Sequence, residues 1–116
     1  MSLKDLQAEI DEYIRPFADG YWPPLANLAR LTEEVGELAR ELNHRFGPKT
    51  KKRDEADGSV ALELGDILFV VGCLANQLGI DLDDAFRRTL EKYRTRDRGR
   101  WALKDGEGAS RGEGEA

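Results

Sequence analysis

Four carboxylates in two short motifs are the side chains of this sequence with the clearest capacity for chemistry. Glu34 and Glu37 lie three positions apart in TEEVGEL, and Glu63 and Asp66 lie three positions apart in ELGD. In a helix this spacing places both members of a pair on one face. The Glu63 and Asp66 pair interrupts an almost wholly apolar helix, so its buried charges would need partners. Glu34 lies beside the apolar stripe of its own helix, with Glu37 one step further round.

Two ordinary interpretations compete with a functional one. An acidic run such as EExxE is usually a solvated helix face, and an acid in an apolar helix is often paired with a buried arginine or lysine. The solvated interpretation weakens because residues 61–75, ALELGDILFVVGCLA, are apolar almost all round and predict a buried helix. If the two helices pack, the four carboxylates can converge into an all-oxygen site that suits Mg²⁺ or Mn²⁺.

A ferritin-like di-iron bundle is the obvious alternative metal site. Such a bundle needs two Glu-x-x-His pairs. His44 is the only histidine and lies outside both acid pairs, so we discount this alternative. We expect His44 near a helix C-terminus, where a histidine suits the helix dipole.

Two glycines are placed unusually, because Gly36 and Gly65 each lie inside one of the acid pairs. Glycine in a helix interior costs roughly 0.5–1 kcal/mol relative to alanine. Close approach of a second helix, or of a ligand, at that level would explain why glycine is tolerated there.

The elements that must position these residues are all predicted to be helices. Apolar residues recur at helical spacing in four segments, and no segment alternates with the period of a strand. The predicted helices run from Ser2 to Pro16, from Pro23 to Gly47, from Ser59 to about Leu78 and from Asp81 to about Tyr93. Short helices with short connections, including a polar loop at 49–58, indicate an all-α bundle of four to five helices.

The chain of 116 residues has room for one domain. We place that domain at residues 1–104. The remaining stretch, 105–116, reads DGEGASRGEGEA and has no side chains that could bury surface. We expect this Gly/acidic tail to be disordered.

Composition excludes several classes of function. The 18 basic and 23 acidic residues give a net charge of −5, which argues against a general binder of long nucleic acid. The longest apolar run is about a dozen residues, short of the roughly 20 of a membrane span. One cysteine and an N-terminus without a signal-peptide pattern predict a cytoplasmic protein with no membrane association.

A basic segment near the end of the domain could face a phosphate. Residues 87–104 contain eight basic and two acidic side chains, and Lys92, Arg96 and Arg100 recur at helical spacing. A cationic ridge beside a metal site fits a phosphorylated substrate. A solubilising helix end and an RNA-facing patch are the alternatives.

The tryptophans allow two interpretations each. Trp101 directly follows the basic ridge and can stack on a nucleotide base, although a packed tryptophan is at least as common. Trp22 and its neighbour Tyr21 precede a Pro-Pro pair, and for them we favour packing.

The arrangement of the acid motifs resembles that of the MazG-like nucleotide pyrophosphohydrolases, in the all-α NTP pyrophosphatase superfamily. Here EExxE spans Glu33 to Glu37, and ExxD follows after 25 intervening residues. The surrounding stretches LARLTEEVGELARELNHR, ELGDILFVVGCLANQLGIDLDDAF and KYRTRDRGRW are also similar to the small single-domain members. The resemblance covers about residues 3–103.

The resemblance implies an activity and an assembly. The implied reaction is hydrolysis of a nucleoside triphosphate, ribo or deoxy, to the monophosphate and pyrophosphate, as house-cleaning of the nucleotide pool. The implied fold is a helical bundle that dimerisation completes, with some members pairing dimers into tetramers.

The resemblance also implies roles for individual residues. Mg²⁺, with Mn²⁺ as a substitute, would be held by Glu34, Glu37, Glu63 and Asp66. Glu33 would be the base that orients the attacking water, or the ligand of a further metal. Phosphates would be bound by Lys92 and Arg96, and the sugar or base by Asn76.

Two other functions remain open. The chain could be a non-catalytic helical module that keeps the acids as a metal or ion-pair site, although such a module could lose Glu33 and this sequence retains it. It could also bind nucleic acid through residues 87–104, and a steep salt dependence would then be expected.

Overall fold

Every regular element of the described structure is an α-helix. The computed structural model describes residues 1–48 and 59–104. Its helices are α1 (Leu3–Ile14), α2 (Pro24–Phe46), α3 (Val60–Gln77) and α4 (Leu82–Asp97). The predicted all-α fold is therefore confirmed. The predicted loop at 49–58 and the predicted tail at 105–116 lie outside the described residues.

Capping side chains begin the helices where the sequence predicts. Ser2 and Asp5 form a capping box before α1, with each side chain accepting from the other's backbone N–H at 3.0 Å. Ser59 caps α3 by accepting a backbone N–H of its first turn at 3.1 Å. Asp81 caps α4 in the same way. Pro24 opens α2, at a position where the missing N–H of proline has no intrahelical partner to lose.

The helix ends follow the predicted breakers with one exception. α4 continues one turn beyond the predicted end at Tyr93, to Asp97, because no breaker intervenes before Gly99 at φ +73°. α3 ends just before Gly79, whose φ of +69° is the left-handed conformation that suits glycine. His44 lies in the last turn of α2, as predicted.

α3 is the central helix of the first of two compact units, Met1–Ile80. It packs against α2 along one side and against α1 along another. α1 approaches α3 closely at Gly72, where an added Cβ would overlap the Cδ1 atom of Ile10. Among the described residues of this unit, the buried apolar ones are Ile10, Val70, Cys73 and Ala75.

The prediction that α3 is buried all round holds for only part of its surface. Leu62, Leu64 and Leu68 are 71%, 53% and 41% exposed. Leu64 and Leu68 lie one turn apart on the same face of α3, whereas Leu62 lies on another side of the helix. By length and composition α3 could also cross a membrane. Its contacts with two neighbouring helices identify it instead as the core helix of a helical bundle.

Side-chain amides of Asn27 and Gln77 attach the α1–α2 connection to the C-terminal end of α3. Asn27 is only 2% exposed, and its Nδ2 donates to Gln77 Oε1 at 2.9 Å. Gln77 Nε2 in turn donates to the Trp22 carbonyl at 2.8 Å. This clamp fixes the backbone that carries Trp22 beside the N-terminal half of α2.

Candidate active site

Three of the four predicted carboxylate ligands meet where α2 packs on α3. Glu34 comes from α2, and Glu63 and Asp66 come from α3. One oxygen of each carboxylate lies within 4.8 Å of the others. The i, i+3 spacing on α3 and the contact between the two helices are together sufficient to produce this cluster, which we call the acid cluster.

Glu63 carries the least satisfied charge of the acid cluster. Its Oε2 is buried and has no hydrogen-bond partner among the described residues. Burial raises the pKa of the Glu63 carboxyl above its ordinary value, and the charges of Asp66, Glu37 and Glu41 raise it further. An orphaned, electrostatically repelled oxygen is a position where a bound cation would be favoured.

The pKa of the Glu34 carboxyl is also raised, and one neighbouring charge opposes the rise. Burial raises the pKa of Glu34, and a hydrogen bond and charge repulsion from Asp66 add to the effect. The positive charge of Arg30 acts in the opposite direction. Within residues 1–48 and 59–104, no arginine or lysine forms an ion pair with the cluster, so the ordinary salt-bridge interpretation finds no support there.

The remaining acids of EExxE lie around the cluster. Glu37 is exposed and outside the group of three, although its charge acts on Glu63. Glu33 is exposed beside Glu34 on α2. The roles of Glu37 as a ligand and of Glu33 as a base therefore stay predictions.

A cavity of about 660 Å³ opens beside the acid cluster. Asp66 belongs to its wall, so the cavity and the carboxylates share a boundary. Five further side chains give the cavity its aromatic and cationic character, and they come from α1, α2, α3 and the connection before α2: Tyr13, Phe17, Trp22, Arg30 and Phe69. Such a cavity can accept a planar group next to a group that the carboxylates hold.

Sequence patterns did not reveal this cavity. They favoured packing for Trp22, which is 51% exposed and contributes to the cavity wall. Tyr21 does pack, since its hydroxyl donates to Asp11 Oδ1 at 2.8 Å. The sequence does contain one signal of the cavity: Arg30 lies one turn before Glu34, and the aromatic residues Phe17 and Trp22 lie in the connection before α2.

The glycines inside the acid pairs face open space. No atom beyond their local helix lies within 4 Å of the Cβ position at Gly36 or Gly65. The close helix approach that could explain them is therefore not seen in the described part of this chain. Gly65 lines the cavity, where the absence of a side chain leaves room for a ligand.

Asn76 takes part in an internal network near the end of α3. Its Nδ2 donates to the Gln7 carbonyl at 2.9 Å and to the Tyr21 hydroxyl at 3.0 Å. Its Oδ1 accepts from Gln7 Nε2 at 3.0 Å. The amide is thus engaged with α1 and the α1–α2 connection, and its contact with a sugar or base stays a prediction.

The predicted phosphate-binding residues lie on the second unit, which begins at Asp81. The ring of Tyr93 lies between two cations, with Lys92 Nζ at 5.4 Å and Arg96 Cζ at 4.8 Å from its centroid. Arg96 also pairs with Asp97 at 2.9 Å, and this contact holds the pKa of the Asp97 carboxyl below its ordinary value.

Trp101 belongs to the same unit and follows α4. It is 65% exposed, and Arg100 Cζ lies 5.2 Å from its ring centroid. An exposed ring stacked by a cation has a surface available to a base, so the stacking role of Trp101 stays a prediction alongside those of Lys92 and Arg96.

This chain matches one protein-family model and is similar in sequence to two curated proteins. The MazG nucleotide pyrophosphohydrolase domain matches residues 23–101. The YpjD protein of Bacillus subtilis is 56% identical over 104 residues, covering 90% of this chain and 94% of YpjD. The dATP/dGTP diphosphohydrolase of cyanophage S-2L is 34% identical over 104 residues, covering 90% of this chain and 82% of that enzyme.

Two crystal structures share the fold. YpjD from Bacillus subtilis superimposes with a TM-score of 0.73 at 56% identity, covering 80% of this chain and 95% of the other. The Bacillus-conserved MazG protein, a nucleotide pyrophosphohydrolase, superimposes with a TM-score of 0.68 at 43% identity. The match covers 92% of this chain and 96% of that protein's chain.

Proposed function

The chain belongs to the MazG nucleotide pyrophosphohydrolase family, and we propose on this basis that it is an Mg²⁺-dependent enzyme that cleaves nucleoside triphosphates, ribo or deoxy, to monophosphate and pyrophosphate. The observation that carries the proposal is the acid cluster of Glu34, Glu63 and Asp66, which opens onto the cavity beside it. A cluster of this kind next to a cavity suits a substrate that has an anionic part and a planar part.

The acid cluster fits a divalent cation. Its donors are all carboxylate oxygens, which hard cations prefer, and the partnerless Glu63 Oε2 is a ready ligand. We assign Glu34, Glu63 and Asp66 as Mg²⁺ ligands and place Glu37 as the fourth, with Mn²⁺ as a substitute. When bound, the cation neutralises phosphate oxygens and offsets the charge that develops during cleavage.

The chain's own residues would carry out the remaining steps. Glu33 is exposed and adjacent to a ligand, so it can orient a water and accept its proton. Lys92 and Arg96 would bind phosphates, while Asn76 and Trp101 would contact the sugar or base.

We further propose a cytoplasmic house-cleaning role in which small nucleotides are the substrates. We expect no long nucleic acid as a partner, because a net charge of −5 disfavours polyanion binding outside local patches. We also propose no membrane association. The diphosphohydrolase activity named for the phage relative supports deoxynucleoside triphosphates as one class to test.

We also propose that the chain functions as a homodimer or a dimer of dimers. The support is the apolar surface on α3 formed by Leu64 and Leu68, which a single chain leaves exposed. A second copy would cover this surface and would complete the bundle around the acid cluster.

The test is a panel of the common ribo- and deoxynucleoside triphosphates, assayed with Mg²⁺ and separately for pyrophosphate and orthophosphate. We expect pyrophosphate and the monophosphate in equal amounts, and no product when EDTA is present. Release of orthophosphate instead, or equal turnover by Glu63→Gln, would contradict the proposal.

A binding measurement separates the enzyme from a non-catalytic module. Mg²⁺ with a non-hydrolysable nucleotide should raise the melting temperature, since ligand at 100 times its Kd adds about 2.7 kcal/mol of stability. Stabilisation by Mg²⁺ alone, with no nucleotide binding and no turnover, would identify the module.

A further inference from the structure

The Arg30 side chain is held between two aromatic rings. Its Cζ lies 5.2 Å from the ring centroid of Trp22 and 5.5 Å from that of Phe69. The side chain is half-buried, and within residues 1–48 and 59–104 its guanidinium has neither a hydrogen-bond acceptor nor an ion-pair partner. Among the described residues, the guanidinium therefore presents its N–H donors without a protein acceptor to receive them.

The donors of Arg30 border the same cavity as the acid cluster. Arg30, Trp22 and Phe69 line one part of the cavity, and Asp66 lines another. A nucleotide whose phosphates lie at the acid cluster would therefore place its nucleoside among the rings. This step rests on the proposed function, because it takes the substrate to be a nucleotide.

The shape of the guanidinium restricts which base it can recognise. Arginine presents two parallel N–H donors, and these match a pair of adjacent acceptors better than a single one. Guanine offers O6 and N7, and cytosine offers O2 and N3. Adenine places an amino donor beside N7, and thymine flanks its N3–H donor with single carbonyls, so neither offers such a pair.

We propose that Arg30 is a specificity-determining residue that binds a nucleobase with two adjacent hydrogen-bond acceptors. Contacts with the rings of Trp22 and Phe69 restrict the guanidinium, so less conformational freedom is lost when the base binds than for a freely exposed arginine. Without a base that accepts both bonds, the desolvated donors stay unpaired, and this penalty disfavours the other bases.

Contact with a phosphate is the competing role for Arg30. Its charge acts on Glu34 and partly offsets the rise in the pKa of that carboxyl, so it would also attract a phosphate at the acid cluster. The observations favour the base, because aromatic rings rather than other cations surround the guanidinium. A phosphate contact would affect every nucleotide equally, whereas a base contact would not.

The test compares Arg30→Gln and Arg30→Lys with the native enzyme on dGTP, dCTP, dATP and dTTP. We expect kcat/KM for dGTP or dCTP to fall about ten-fold more than for dATP and dTTP, as for loss of a two-bond contact. Arg30→Lys keeps the positive charge and its contact with the rings but lacks the two parallel N–H donors, so it should show the same selective loss. Arg45→Gln removes an exposed arginine from the same helix and should leave the ratios unchanged.

An analogue distinguishes the two acceptor pairs. The 7-deaza form of dGTP lacks the N7 acceptor, so if guanine is bound, Arg30→Gln should reduce kcat/KM for it much less than for dGTP. If dCTP alone is selectively affected, the O2 and N3 pair of cytosine is bound. An equal loss on all four nucleotides, or no loss, overturns the proposal.

Two controls keep the result interpretable. If Arg30→Gln fails to fold, Arg30→Lys decides, because it retains the cationic contact with both rings. If the native protein releases no pyrophosphate from any nucleotide, the proposed function has failed instead. That outcome is distinct from failure of the Arg30 proposal, in which the native enzyme is active but the variants lose activity equally on all four nucleotides or not at all.

Discussion

Glu33 and Glu34 are neighbours in the chain, yet the structure gives them different surroundings. Adjacent helical residues point about 100° apart. Glu34 turns toward α3 and joins the acid cluster, whereas Glu33 is exposed beside it. One position can therefore hold a cation while the other acts on a water.

The two acids should differ in what their loss removes. We expect Glu33→Gln to lower kcat by roughly 10²–10⁴-fold, as for loss of a general base, with Mg²⁺-nucleotide binding changed by only a few-fold. Glu34→Gln should weaken metal and nucleotide binding as well. Titration of both variants with a non-hydrolysable nucleotide at fixed Mg²⁺ measures the difference. If both lose binding equally, Glu33 is a metal ligand.

The acid cluster should destabilise the metal-free protein as the pH rises. The pKa values of Glu34 and Glu63 are raised in the folded state, so above 4.5 the folded chain binds more protons than the unfolded chain. Stability contributed by these protons is present at low pH and is lost as the pH rises through the folded pKa values. Glu63→Gln should therefore raise the melting temperature in EDTA near pH 7, and by less near pH 5.

An exposed carboxylate on α1 provides the control. Glu12→Gln should leave the melting temperature nearly unchanged at both pH values, because Glu12 is far along the chain from the cluster and exposed. A Glu63→Gln protein that melts lower than the native protein at pH 7 in EDTA would show that Glu63 is not repelled.

The carboxylates could be predicted as a group, whereas Arg30 could not. Acids spaced i, i+3 in apolar helices share a face in any helical fold, so only the packing of α2 on α3 had to be assumed. The contact of Arg30 with Trp22 depends on how the connection before α2 folds back, and the buried amide of Asn27, bonded to Gln77, helps to hold that connection. No local pattern in the sequence encodes that clamp.

At the level of elements, the glycines inside α2 and α3 have different surroundings. Gly72 lies against Ile10 of α1, while Gly36 of α2 and Gly65 have open space at their Cβ positions. The sequence predicted close approach at the acid pairs, and the structure places it two turns further along α3. Helix boundaries were more predictable, because caps and glycines specify them locally.

Gly65→Ala and Gly72→Ala should have opposite effects on stability. Alanine at position 65 meets no atom and gains about 0.5–1 kcal/mol of helix propensity, but its methyl enters the cavity and should weaken nucleotide binding. Alanine at position 72 overlaps the Ile10 methyl, and such overpacking costs about 1–3 kcal/mol. Urea denaturation measures both changes.

A double variant identifies the cause at position 72. Ile10→Val removes the Cδ1 atom that the new methyl would meet. Gly72→Ala combined with Ile10→Val should therefore be less destabilised than the sum of the two single variants. Additive losses would show that the methyl meets something other than Ile10.

The whole molecule leaves a large share of its apolar side chains in contact with solvent. Leu68 is 41% exposed and borders a groove between α1 and α3 that Leu6, Ile10 and Phe69 also line. A soluble monomer rarely exposes a continuous apolar surface of this kind. The surface is what the proposed dimer would bury.

Leu68→Glu should shift the chain toward a monomer. A carboxylate inside an apolar interface loses solvation without a partner, so association should weaken strongly. Light scattering after size-exclusion chromatography gives the mass, and an assay on the same fractions shows whether activity falls with it. Leu103→Glu, a change at an exposed leucine of the second unit, is the control. A native chain that is active and monomeric at micromolar concentration would refute the dimer.

The thiol of Cys73 gives the protein a built-in covalent probe of its own cavity. It is the one cysteine of the chain, it is 2% exposed, and it lines the cavity together with Arg30. Burial raises its pKa, so an alkylating reagent can react only when the structure opens and the thiol ionises. The alkylation rate of the unaltered protein therefore measures how often the cavity opens, and a nucleotide that occupies it should slow the reaction.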